Sequence, residues 1–372
     1  MLPVAIGAYC MTWRGINNFS EPSNWFSGTQ SGGISNSDPS AFDELFVRGS
    51  IVIEAELGEH AGSEQVLLDY SFYQVWQRSL KVYVSAAGDM FVDIIQGRGR
   101  SHGRLKNVSP GSLFRLTISW DGPERFGVVS LENFEDGSLL QAPINTPVPV
   151  PADDLKRIIN LSGSPKVDPG VTLVAISDKV EKVGLNPSIA NGSLITTADG
   201  PRPIERLCLG DNVLTESSGY QPIRWIIERT VPAYGMFAPI RLRTPYMGLT
   251  QDILVAPHQQ MVMKGSSAEY LFGQESVMVR ARDLVGHASA CLESGQQTTT
   301  FYQIILDQHD YIEIGGAWGA SQFLDRFDYP DEFSATNPLA HVPKNTRPKH
   351  QTPARAVLQS YETTSLLSAL TA

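Results

Sequence analysis

The chain has 372 residues, 42% of them hydrophobic and 18% charged, and a net charge of −10 at pH 7. That length favours two domains, and the acidity argues against nucleic acid as the main partner, because phosphate backbones need a basic face. No run of roughly 18 apolar residues occurs, so no membrane-spanning helix is expected, and the three cysteines (Cys10, Cys208, Cys291) are too few and too scattered for a disulfide framework or a zinc pair.

The N-terminal stretch MLPVAIGAYCMTWRG is apolar but has no basic leading region and no clear small-residue cleavage site. It reads as a first strand rather than a signal peptide, which leaves the compartment open, including export by a non-classical route. Cys208 and Cys291 are expected to be free buried thiols.

The first half is rich in period-2 alternation, the mark of strands with one buried face and one wet face. Ile51, Ile53, Ala55 and Leu57 alternate with Val52, Glu54 and Glu56. Leu80, Val82 and Val84 alternate with Lys81 and Tyr83, and Leu116, Ile118 and Trp120 with Arg115, Thr117, Ser119 and Asp121. Gly127–Glu132 is another short strand. Turn signals separate these runs at Ala87–Asp89, Gly97–Gly103, Pro110–Gly111, Asp121–Pro123 and Asp136–Gly137, a spacing typical of antiparallel sandwiches. Asp69, Asp89 and Asp121 are read as turn formers rather than calcium ligands, and Gly97–Arg100 as a basic hairpin tip. Residues 143–151 are expected as a Pro-rich extended bridge, and Val171–Ser177 as a late strand of the same domain.

On the Arg115–Asp121 strand end and the Val171–Ser177 strand, this half resembles a laminin-G or concanavalin-like jelly roll. Such domains often bind glycans, sometimes through calcium. The resemblance implies a glycan or protein ligand, and nothing in the sequence fixes a calcium site.

Residues 188–230 read SIANGSLITTADGPRPIERLCLGDNVLTESSGYQPIRWIIERT. A β-branched run (Leu194–Thr197) meets a turn at Ala198–Pro201. A second turn at Gly210–Asp211 leads into Asn212–Thr215, and a third into Pro222–Ile226. Later come Leu254-Val255-Ala256-Pro257-His258-Gln259, then Leu306-Asp307-Gln308-His309-Asp310-Tyr311-Ile312 and Gly315–Ser321. This order resembles a bacterial Hint domain, the Hedgehog/intein self-processing module. Further strands are expected at Ile240–Arg243, Met261–Met263, Val277–Arg280 and Tyr302–Leu306, with one helical turn at Ala281–Leu284.

The resemblance implies chemistry on the chain's own backbone. Family members begin at a nucleophile, usually Cys, which attacks the preceding carbonyl; thiols ionise readily and are strong nucleophiles. Here that position is Ser188, whose hydroxyl needs a positioned base and oxyanion donors. Aligned on Pro257, the family His falls on Gln259 and its Ser/Thr on Ala256. His258 sits one residue early, a slip that turns a strand side chain to the other face unless a bulge cancels it. His309 matches a family His and is read first as structural. No Asn suited to splicing follows Ala320.

The candidate site is thus Ser188, His258, Gln259 and His309, with no cofactor implied. The expected fold is all-β: a jelly-roll-like sandwich over residues 1–180, a linker at 181–187, a Hint-type fold over 188–325, and a flexible tail over 326–372 ending in an amphipathic helix within Ala354–Leu370. Two functions remain open. One is a degenerate Hint scaffold joined to a glycan- or protein-binding sandwich. The other is autoprocessing by an N-to-O acyl shift at Pro187–Ser188.

Overall fold

The computed structural model describes residues 12–20, 23–27, 44–58, 63–108, 113–324, 329–350 and 355–371. The chain is all-β and divides into two compact units: Met1–Gly184 with Tyr329–Asn337, and Leu185–Asp328 with Pro338–Ala372. Among the described residues, no helix is long and apolar enough to cross a membrane. Met1–Met11, with Cys10, and the Pro110–Gly111 turn lie outside the described residues; Trp13–Asn18 is a strand.

The first unit is a jelly-roll-like sandwich of antiparallel layers. One layer runs through Gln65–Tyr73, Gln77–Val84, Met90–Gln96 and Gly99–Leu105. The other runs through Phe126–Asn133, Leu113–Asp121, Arg48–Glu56, Val171–Ser177 and Trp13–Asn18. Leu139–Asn145 pairs with a strand of each, so Pro143 lies in a strand rather than in an extended bridge. Ile51, Ile53, Leu116 and Ile118 from one layer meet Leu80, Val82, Val92 and Ile94 from the other in one core, the alternation the sequence spells out.

The supposedly wet positions of the second layer are buried as well. Val52, Glu54, Arg115, Thr117 and Ser119 are all fully buried. The reason lies in two segments strapped across that outer face. Glu181 N–H donates to Ser50 Oγ and Gly184 N–H to Glu132 Oε1. Val183 N–H donates to the Thr336 carbonyl, and Gln141 Nε2 to Thr336 Oγ1. The Tyr329 hydroxyl donates to the Val183 carbonyl at 2.6 Å, so close to Gly184 that a Cβ there has no room. The buried polar row is satisfied internally: Arg115 donates twice to Glu54, with Glu132 3.8 Å away, as buried charges require. Residues 181–184 are therefore part of the sandwich rather than a free linker, and the expected flexible tail is ordered where it supplies Tyr329–Asn337.

A helix absent from the sequence reading, Ala152–Ile159, seats Leu155, Ile158 and Ile159 in the same core. Its Asp154 accepts from Tyr70 Oη at 2.6 Å and faces Arg78. Asp69 and Asp121 lie in strands rather than turns. Asp89 does sit at a turn, where it accepts from Arg104 and from the Asn107 N–H.

The second unit holds two antiparallel sheets. One orders Trp225–Pro232, Thr298–Ile305, Ile189–Ala190, Ile253–Val255, Ile240–Leu242 and Ala290–Leu292. The other contains Leu194–Thr197, Asn212–Thr215, Tyr311–Ile314, Ala317–Ala320, Gln260–Lys264 and Ser276–Arg280. Their shared core includes Ile189, Ile195, Val255, Met261, Ile304 and Ile312. Ala281–Leu284 is a single helical turn, and Ser266–Phe272 is a short helix that the sequence reading lacked.

The tail belongs to this core too. The Leu358 N–H donates to Met278, and the helix Ser360–Thr371 buries Leu366 and Leu367. Leu339, Val342 and His350 are buried, so the Pro-rich stretch is anchored at these positions while most of its other residues stay exposed. Residues 351–354 fall outside the described residues. Cys208 is exposed and Cys291 half-buried, so neither is the buried thiol expected; Cys208 precedes a turn, and Cys291 sits mid-strand in Ala290–Leu292 at a part-buried position. Trp225 is half-buried beside His341 instead of filling the space between sheets.

Candidate functional site

Ser188 leads into the two-residue strand Ile189–Ala190, clamped between Ile253–Val255 and Thr298–Ile305. Its N–H donates to the Tyr302 carbonyl at 3.1 Å, and its own carbonyl accepts from Ala256 N–H at 2.7 Å. The peptide nitrogen of the Pro187–Ser188 bond is thereby fixed in a sheet ladder. The Ser188 side chain is 2% exposed.

The chain turns after Val255. Gln259 N–H donates to the Ala256 carbonyl at 3.0 Å, which puts Pro257 and His258 in a turn rather than a strand. The turn separates the two adjacent side chains. Gln259 comes to Ser188, and Ser188 Oγ donates to Gln259 Oε1. Gln303 Oε1 lies 3.2 Å from the same hydroxyl. The amide orientations follow from their other partners. Gln259 Nε2 donates to the carbonyls of Gln260 (2.9 Å) and Ala320 (3.4 Å), and Gln303 Nε2 to Ala320 (3.4 Å). Carbonyls only accept, so the amide oxygens must face the serine. Among the described residues, the hydrogen-bond partners of the Ser188 hydroxyl are these two amides.

His258 points elsewhere. Its Nε2 donates to the Asn186 backbone carbonyl at 2.9 Å. Beside it, the buried Arg229 donates through Nη1 to Asn186 Oδ1 at 3.1 Å and stacks over Phe237. Together with Pro187 these residues line a small cleft.

His309 is not brought to Ser188. Its Nδ1 lies 3.3 Å from Ser321 Oγ, and its ring packs edge-on against Tyr311 and Phe323 with His350 alongside. Burial, aided by the neighbouring His350, pushes its imidazole down to about 4. His350 spans Leu324 N–H and the Leu306 carbonyl. Among the described residues, no group of three or more His, Cys, Asp or Glu could hold a metal ion.

Residues 187–326 match the Hint domain family. By that match, the chain contains a Hint domain. Ser188 is the second residue of the matched segment, and the site just described lies wholly within this unit. No curated protein matches the chain. Among solved structures, it is similar to the Ruminococcus gnavus IT-sialidase CBM40 bound to alpha2,3 sialyllactose, at 15% identity over 37% of this chain and 65% of that one, TM-score 0.22. It is also similar to the LG1-3 region of the laminin alpha2 chain, at 11% identity over 76% of this chain and 55% of that one, TM-score 0.24. The chain thus spans less than two thirds of either.

At and beside the site, the sequence reading missed Gln303, Ala320, Asn186 and Arg229. Gln303 reaches Ser188 from 115 residues along the chain, and the Ala320 carbonyl holds the Gln259 and Gln303 amides that face it. The Asn186–Pro187 dipeptide, directly upstream of Ser188, was a local signal that could have been read.

Proposed function

We propose that the Hint domain of this protein is a scaffold silent in the acyl shift at Ser188, joined to a sandwich that binds a glycan. The carrying observation is the hydrogen bond from Ser188 Oγ to the amide of Gln259. An amide oxygen takes no proton at neutral pH, so the hydroxyl has no base, and catalysis at a serine depends on one. The autoprocessing reading asks His258 or Gln259 to assist, and His258 donates to the Asn186 carbonyl instead while Gln259 offers only an amide.

Support for the binding half comes from one end of the sandwich. The hairpin tip after Gln65–Tyr73 exposes Tyr73 (74%), Val75 (73%) and Trp76 (48%). The Trp76 ring lies against Gly97 of the next hairpin, whose tip carries exposed Arg98 and Arg100. Flat aromatic rings at an exposed tip suit the apolar faces of sugar rings, and clustered exposed apolar side chains mark interaction sites. Two arginines on an otherwise acidic chain favour an anionic glycan.

The test is intact mass spectrometry of the full chain with and without hydroxylamine, beside Ser188→Ala. No fragment split at Pro187–Ser188 is expected. A hydroxylamine-dependent split there, absent from the control, would overturn the silent-scaffold reading.

A further inference from the structure

We propose that the chain cuts itself between Asn186 and Pro187, by attack of the Asn186 side-chain amide on its own backbone carbonyl. The proposal uses none of the Ser188 contacts and stands whether or not that serine is silent.

Three features converge on Asn186. Arg229 donates to Oδ1. A guanidinium can only donate, so the amide oxygen faces it and Nδ2 is the remaining heteroatom of the side chain. His258 Nε2 donates to the Asn186 carbonyl at 2.9 Å. A donor held on that oxygen polarises the carbonyl and stabilises the oxyanion that attack creates. The next residue is Pro187, which has no N–H. The backbone nitrogen therefore cannot attack the Asn186 side chain, and cyclisation is left to Nδ2.

The arrangement is built rather than incidental. Arg229 is buried and braced on Phe237, and His258 is placed by the turn that delivers Gln259 to Ser188. Asn186, Pro187, Arg229, Phe237 and His258 all line the same cleft.

The step balances without a co-reactant. Nδ2 forms a bond to the Asn186 carbonyl carbon, and the bond from that carbon to the Pro187 nitrogen breaks. One proton leaves Nδ2 and one arrives on the Pro187 nitrogen, exchanged through solvent in the cleft. Residues 1–186 end in a cyclic succinimide, and residues 187–372 begin with a free proline amine. Water then opens the ring.

The experiment incubates the purified full chain, folded and urea-unfolded, at one pH and temperature and follows intact mass over days. The expected result is a 1–186 fragment one water lighter than the free acid, forming at least roughly tenfold faster from folded than from unfolded chain. Ser188→Ala should leave that rate unchanged, Asn186→Ala should abolish it, and His258→Ala, checked for an unchanged melting temperature, should slow it. A folded chain that cuts no faster than the unfolded one overturns the proposal. So does a product split only at Pro187–Ser188 and not at Asn186–Pro187, which one proline residue of mass distinguishes; a Pro187–Ser188 split beside the expected one counts against the silent Ser188 alone.

Discussion

Ser188 and Gln259, 71 residues apart in sequence, are joined by a hydrogen bond in the buried heart of the second unit. Under the proposed reading, the glutamine stands where a base would act and offers an amide oxygen instead. Gln259 is pinned on its other side by the Gln260 and Ala320 carbonyls, so the pair is held in this state.

Restoring titratable chemistry at that position should restore cleavage. Ser188→Cys combined with Gln259→His is expected to give a hydroxylamine-sensitive split at Pro187–Ser188. The gain over Ser188→Cys alone should be roughly 10²–10⁴-fold, the usual contribution of a positioned acid or base. Quantified fragment masses check it; a double variant no faster than the single one means the surrounding ladder has lost the geometry.

Trp76→Ala should weaken glycan binding by roughly ten- to a hundredfold while changing folding stability by no more than about 0.5 kcal/mol, because the ring stands at an exposed tip. Titration of the isolated full chain against anionic and neutral oligosaccharides, paired with urea denaturation, separates the two effects. Equal affinities of wild type and variant would move the binding site away from this hairpin.

The terminal helix should behave as core. Leu366→Ala removes a side chain that is 2% exposed, and is expected to cost about 2–4 kcal/mol in urea denaturation. A cost below about 0.5 kcal/mol would mean the helix is only loosely docked.

His309 should make stability pH-dependent. Its folded value near 4 lies below the ordinary 6.5, so the unfolded chain binds the extra proton. The contribution is fully present above pH 6.5 and is lost as pH falls toward 4. Its full size is about 3 kcal/mol as an order of magnitude. In His309→Phe, the stability difference between pH 7 and pH 4 should shrink; an unchanged pH profile would assign the acid sensitivity to other groups.

The alternating strands were legible because their inward residues carry a local period, as at Ile51–Ala55 and Leu80–Val84. The same alternation misled on Arg115, Thr117 and Ser119, since what covers them arrives from residues 181–184 and 329–337, far along the chain. The turn signals at Ala198–Pro201 and Gly210–Asp211 marked the second unit because positive-φ glycines and capping aspartates act locally. Composition hid the tail: polar, Pro-rich sequence reads as unstructured, yet a few side chains such as Phe333, Val342 and Leu358 suffice to dock it. At the site, the one-residue offset between His258 and Gln259 was visible, but which side chain met Ser188 depended on the turn at Ala256–Gln259.

The segment Tyr329–Asn337 has a consequence for anyone looking for a nicked chain. It lies downstream of the Hint domain but is strapped to the sandwich, which lies upstream, through Val183, Gly184 and Gln141. A break upstream of residue 188 would therefore leave two polypeptides still fastened by non-covalent contacts. Size-exclusion chromatography would report an unbroken particle, and only denaturing conditions would release the halves.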